Sequence, residues 1–168
     1  PMATALYGSF KAITNEVLAH KTDVAIDLKV TQQDGAVQVN ATVKEADPEN
    51  KELKLRVVLA ESNIEFDAAN GLRHHNMVVR KMLGGDRGTA RDGDTFSYSG
   101  TVKIAELRDE LHAYLTRFER NQGVEFTRMP LDLENLSVVA FVQDDSTGEV
   151  LQVAIVAVQP GTTTEQAK

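Results

Sequence analysis

The stretch VAIDLKVTQQDGAVQVNATV, residues 24–43, carries the fold in its spacing. Val24, Ile26, Leu28 and Val30 alternate with mostly polar residues, Asp34-Gly35 interrupts, and Val37, Val39, Ala41 and Val43 alternate again. A side-chain period of two places the apolar residues of each run on one face of an extended strand. Asp-Gly between two such runs signals a tight hairpin, because the turn needs a left-handed backbone that Gly adopts freely. Two antiparallel strands are expected, each with one face buried and one in water.

Working outward, the same period recurs. Leu53, Leu55, Val57 and Leu59 mark a third strand, and NMVVRKML, residues 76–83, a fourth. Phe96, Tyr98 and Val102 mark a fifth, after a Gly-rich and polar loop. Residues 136–143 and 149–158 form a last hairpin about the DDSTGE turn, residues 144–149. The period changes twice. Leu6, Phe10, Ile13 and Val17 recur at helical spacing, predicting a helix over 5–19. Ile104, Leu107, Leu111, Tyr114, Leu115 and Phe118 predict a second over 104–121, stopped near Gly123. The expected fold is mainly β: an immunoglobulin-like antiparallel β-sandwich of about seven strands with two flanking α-helices. Residues 1–20 read as an N-terminal helix, a linker or the stub of an upstream domain, 21–159 as the sandwich domain, and 160–168 as a flexible tail.

Composition narrows the function. The chain has 168 residues and a formal net charge of -7. Such an acidic surface disfavours nucleic acid, whose binding rests on Lys and Arg neutralising phosphates, and anionic membranes. With no cysteine, the chain forms no disulfide, thiolate metal site or thiol redox couple. It contains no apolar run of 18 residues, so no membrane span is expected. A start at Pro1-Met2 reads as a cut or an added residue, so the piece is expected to come from a longer protein.

The densest group of candidate residues is NGLRHHNMVVRKMLGG, residues 70–85. His74 and His75 are the metal-ligand candidates, with Glu61, Glu65 and Asp67 as nearby carboxylates. Neighbouring residues on a strand point to opposite faces, so both rings reach one ion only from a loop. Zinc wants three or four ligands, and no His-x-His or His-Glu-x-x-His spacing exists here. The structural reading is that Asn70-Gly71 turns the chain and that His74 or His75 caps a sheet end by hydrogen bonds. If Arg80 faces inward it needs a carboxylate, because an unpaired buried guanidinium is very costly. GGDRG, residues 84–88, lacks the Lys-Ser/Thr pair and following helix of a phosphate loop. No Gly-x-Ser-x-Gly is present, and Ser62, Ser97 and Ser99 lack a nucleophile signature. Glu106, Asp109 and Glu110 fall on the charged face of the second helix. No catalytic residue, cofactor or metal site is assigned on these grounds. The alternative is a metal- or small-ligand-binding sandwich using His74 and His75.

One resemblance bears on this. NGLRHHNMVVRKMLGG (70–85), preceded by LKLRVVLAESNIEF (53–66) and followed by LSVVAFVQDDSTGEVLQVAIV (136–156), resembles the C-terminal β-rich domain of exported bacterial thioredoxin-like proteins. It is also similar to a related group of outer-membrane-associated proteins. The match covers about residues 50–156, and 5–45 by pattern only. It implies an extracytoplasmic accessory module whose partner is a protein or an adjacent domain of the same chain. Any Cys-x-x-Cys redox motif belongs to the upstream domain of that family. Asn70, His74, His75 and Arg80 therefore carry over as motif residues without a catalytic role.

Overall fold

The computed structural model describes residues 2–19, 21–68, 70–93, 95–159, 161 and 163–166. The hairpin at 24–43 forms as its spacing requires. β1 (Ala25–Gln33) pairs antiparallel with β2 (Ala36–Lys44), and Gln33 faces Ala36 across the two-residue loop. Asp34 and Gly35 both have positive φ, 51° and 74°, as a turn matched to the right-handed strand twist needs. β3 (Leu53–Glu61) crosses to a second sheet. A short hairpin, β4 (Ile64–Glu65) with β5 (His74–His75), follows, then β6 (Val78–Leu83) and β7 (Thr89–Ala90). β8 (Ser97–Lys103) returns to the first sheet and leads into α2 (Ile104–Gln122). β9 (Leu136–Asp144) and β10 (Val150–Ala157) form the last long hairpin. β11 (Thr163–Gln166) lies in the stretch expected to be a flexible tail, yet it pairs with β1.

The result is a sandwich of antiparallel sheets. One runs β11-β1-β2-β8 and the other β10-β9-β3-β6, with β7 also on β3. The core between them is the predicted set: Ile26, Leu28, Val37, Val39, Leu55, Leu59, Val138 and Val142 are all buried. α2 closes one end. Its Leu107 is buried and its Ile104 and Leu111 pack on the core. Gly123 ends it in a left-handed conformation, φ 64°, with its N–H bonded to Glu119 O.

The two outer faces are chemically unlike. On the first sheet the register sets Gln38 beside Thr101, Asn40 beside Ser99 and Thr42 beside Ser97, all polar. On the second sheet one cross-strand row reads Met82, Val58, Val139, Ile155, and the next reads Arg56, Phe141, Val153. Val58, Ala60 and Val139 are buried although they lie outside the central core. Towards the sheet edges Val79 is 51% exposed and Val153 46%.

α1 (Met2–Ala19) carries the predicted apolar stripe, but the sandwich does not cover it. Leu6, Tyr7, Phe10, Ile13, Val17 and Leu18 are all exposed.

Two predictions follow from the packing and from the β9–β10 turn. Leu59 is fully buried. Leu59→Ala should cost about 2–5 kcal/mol in urea unfolding, whereas Gln38→Ala on the polar face should stay within about 0.5 kcal/mol. The Asp144 carboxylate accepts hydrogen bonds from the Ser146 hydroxyl, from Asn50 Nδ2 at 2.7 Å and from Ser146 N at 2.8 Å. These bonds, the Ser146 hydroxyl foremost, lower its pKa from 3.8 to about 2. A depressed carboxylate stabilises the fold above its unfolded pKa, and that contribution is lost as pH falls through the folded value. Urea midpoints should therefore fall more steeply between about pH 4 and about pH 2 in the parent than in Asp144→Asn. Parallel curves would show that the turn contributes nothing to the acid limb.

Candidate functional site

The stretch 61–80 folds into a projecting hairpin with a polar base. Asn63 N donates to Asn76 Oδ1 at 3.0 Å, and Met77 N to Ser62 Oγ at 3.1 Å, so side chains close the base where strand pairing is short. Ile64 pairs with His75 and Glu65 with His74. Beyond them Phe66 N bonds Arg73 O at 2.9 Å and Ala68 N bonds Leu72 O at 3.0 Å. At the tip Asn70 Oδ1 accepts Leu72 N at 3.1 Å, and Gly71 has φ 81° with its N–H on Ala68 O. A side chain that bonds its own backbone two residues on, followed by Gly, is a self-sufficient turn.

The two histidines sit in different surroundings. His74 is exposed, whereas His75 is half-buried. His75 Nε2–H donates to Phe66 O at 3.0 Å, and its ring lies 6.2 Å from that of Phe66. The aromatic contact continues outward from Phe66. Its ring meets Phe126 edge-on at 5.8 Å, and Phe126 stacks on Phe118 of α2 at 6.1 Å. Phe126 is held by its own N–H, which donates to Glu119 Oε1 at 2.6 Å. The hairpin is thus braced against the segment that follows α2. Among the described residues no group of three or more His, Asp and Glu side chains gathers at metal-binding distance.

Arg80 is placed by a β-bulge. Leu59 pairs with Lys81 and Ala60 with Val79, so Arg80 is the extra residue on β6. The bulge turns Val79 outward and aims the guanidinium at Glu61, the last residue of β3. Nε and Nη2 of Arg80 both lie 2.7 Å from Glu61 Oε2, and Nη2 also donates to Pro130 O at 2.6 Å. Glu61 Oε1 accepts Glu134 N at 3.2 Å. The side chains of Arg80 and Glu61 are 9% and 2% exposed, so the pair is buried and its geometry must offset a large desolvation penalty. The carboxylate that pairs with Arg80 is one that sequence reasoning set aside as a metal candidate. A signal for it existed: Glu61 continues the inward series Leu53, Leu55, Val57, Leu59. Phe66, Phe126 and Pro130 were missed altogether, since nothing in their local spacing marks them.

Two hollows flank the hairpin. One, of about 520 Å³, lies between Glu65, Asp67 and Arg73 on the hairpin and Glu125, Phe126 and Arg128 beyond α2. The other, of about 220 Å³, is walled by Ile64, Phe66, Val78 and Pro130, with His75 and Arg80 as its polar members. In the first, Arg73 pairs with a carboxylate of the lining, whereas Arg128 pairs with Asp132 outside it. Arg73 Nε bonds Asp67 at 3.0 Å and Arg128 Nη2 bonds Asp132 at 2.7 Å.

No family model matches the chain, and no curated protein matches it. Among solved structures, a domain of the outer membrane lipoprotein Omp28 from Porphyromonas gingivalis is similar in fold, with a TM-score of 0.51 and 19% identity. The likeness covers 84% of this chain and 100% of that one.

The Glu61–Arg80 pair makes a sharp expectation. Arg80→Met should lower unfolding free energy by about 3–5 kcal/mol, because it strands a buried carboxylate. Pairing it with Glu61→Leu should recover most of that loss in a double-mutant cycle. An unchanged melting temperature in Arg80→Met would show that the pair holds nothing together.

Proposed function

We propose that this chain is a non-catalytic interaction or scaffolding domain of a larger bacterial protein, working outside the cytoplasm at the cell envelope. The observation that carries this reading is the apolar outer face of the second sheet, set against the polar outer face of the first. A sheet face in water ordinarily alternates to polar residues. Here Met82, Val58 and Val139 share one row with Ile155 across all four strands, and Phe141 and Val153 extend it on β9 and β10, where the β3 member of the row is Arg56. Val58 and Val139 are themselves buried, and the apolar side chains left to solvent are Val153 and Ile155 on β10 and Val79 on β6. Exposed apolar residues grouped in this way mark a site of association. The partner is a protein or an adjacent domain of the same chain.

Other features agree. The buried polar groups of the hairpin are engaged with each other as structure, and none is poised as a nucleophile or base. The seven long strands divide first, second and fifth against third, fourth, sixth and seventh, which we read as an immunoglobulin-like order. The likeness to an outer membrane lipoprotein domain supports the envelope location. The resemblance to exported thioredoxin-like proteins supports a parent in which any redox chemistry sits in a separate domain. No helix among the described residues is long and apolar enough to cross a membrane.

A second reading has one observation in its favour. The 220 Å³ hollow joins apolar walls to His75 and Arg80, a combination suited to a small ligand with one hydrogen-bonding end. A small molecule retained in native mass spectrometry, and lost in His75→Ala, would favour it.

The test of the leading reading is a photocrosslinking residue in place of Val153 in the natural full-length protein, in its own cells. The expected result is a discrete protein adduct in the envelope fraction from position 153 and none from position 40 on the polar sheet. Equal labelling at both positions, or none at 153, would remove the basis of the proposal. Recovery of the protein in the cytoplasmic fraction would remove its location.

A further inference from the structure

We propose that the 220 Å³ hollow beside the hairpin takes an uncharged, fragment-sized ligand, a hydrocarbon body bearing one carbonyl oxygen that accepts a hydrogen bond from Arg80 Nη1. This rests on the second reading of that hollow and names its ligand. The walls set the body. Ile64, Phe66, Val78 and Pro130 are apolar, and only His75 and Arg80 bring polar side chains. Water in such a place finds few of the roughly two to four polar partners it needs. Displacing poorly bonded water by hydrocarbon is favourable. Sites for drug-sized ligands run to roughly 300–1,000 Å³, so this smaller one suits a single ring with a short substituent.

The polar end is set by what the two side chains have left to offer. His75 donates its Nε2–H to Phe66 O. The other nitrogen of a neutral imidazole can only accept, whereas every guanidinium nitrogen is a donor. Arg80 therefore supplies the donor. Its Nε is engaged with Glu61 and its Nη2 with Glu61 and Pro130 O, while Nη1 has no partner among the described residues. Nη1 is not among the buried, unpartnered atoms either, so it is the guanidinium nitrogen that reaches open space. The rest of the side chain is packed, with 9% of it exposed, and the ion pair holds the donor in a fixed position. Glu61 decides the charge of the ligand. It cancels that of Arg80, so a carboxylate entering the hollow would bring an uncompensated charge between apolar walls at a large desolvation cost. A neutral carbonyl keeps the charge-assisted hydrogen bond without that cost.

Three probes of one shape separate these contributions: acetophenone, α-methylstyrene, in which a methylene replaces the oxygen, and benzoate, which is charged. Binding is read from the amide signals of Ile64, Phe66 and Val78 in two-dimensional NMR spectra of the chain. The expected result is that acetophenone shifts these signals saturably. It should bind at least about tenfold more tightly than either other probe, the ratio a hydrogen bond to a charged donor supports. In the Glu61→Leu/Arg80→Met double variant, which removes the donor together with its partner, acetophenone and α-methylstyrene should bind alike. The comparison in the parent chain decides even where that variant does not fold. Benzoate binding as tightly as acetophenone overturns the inference in favour of an anionic ligand and leaves the hollow as a ligand site. Equal affinities for acetophenone and α-methylstyrene in the parent chain overturn it as well, because Arg80 then contributes nothing. No saturable shift from any of the three removes the ligand-binding reading of the hollow itself.

Discussion

From Val57 onward β3 is buried on both of its faces, and most of the molecule's character follows from that. It is flanked by β9 on one side and by β6 and β7 on the other. Its inward residues Leu53, Leu55, Val57 and Leu59 supply the core. Its outward residues Val58 and Ala60 are nearly as buried, which requires apolar neighbours on the adjacent strands. Val139 and Met82 flank Val58, and Val79 flanks Ala60 on the β6 side. The outward face of the central strands is therefore mixed: Lys54, Arg56, Ser137 and Gln143 keep part of it polar, and Val58, Val139 and Phe141 make its middle apolar. Towards the edges Val79 and Val153 stay open to water.

The same strand ends in Glu61, so the inward series closes on a carboxylate. Burying it without a partner would be prohibitive. The bulge at Arg80 is the local answer. It breaks the alternation of β6 so that a cation, and not Val79, faces inward beside Glu61. The pair then organises a third segment, because Pro130 O and Glu134 N take the remaining hydrogen bonds. Those bonds draw the stretch after α2 onto the hairpin and bring Phe126 against Phe66. The histidine hairpin is thus held by an ion pair at its root and aromatic packing along its side.

How much of this was legible depends on whether the cause was local. The β1–β2 hairpin was, because alternation and Asp34-Gly35 agree and a two-residue loop leaves one register. α2 was, because a period near 3.6 and Gly123 coincide. The β4–β5 hairpin was not, since two-residue strands have no period and its closure depends on Ser62, Asn70 and Asn76 side chains. NMVVRKML read as one continuous strand, and nothing within it shows where the alternation resets. The pairing of β11 was invisible for another reason: Thr163–Gln166 joins β1 through backbone hydrogen bonds, which a polar sequence makes as well as an apolar one. The apolar outer face did leave a trace. Val57-Val58 and Val138-Val139 are doubled valines within otherwise alternating runs, the mark of a strand buried on two sides.

That trace bears on how the domain works. Reactive sites in small sandwiches are made by loops that present unsatisfied polar groups to a cavity. In the 61–80 hairpin the polar groups are instead consumed in holding the loop: Asn70 on its own turn, Asn76 and Ser62 at the base, Arg80 on Glu61. His75 spends its Nε2–H on Phe66 O and leans against that ring. Apolar surface, by contrast, is left exposed among the described residues: the stripe of α1, and Val153 and Ile155 at the edge of the second sheet. Free energy available at those two surfaces comes from removing them from water, which is non-directional and suits association more than chemistry. Directionality then has to come from the shape of the surfaces that meet.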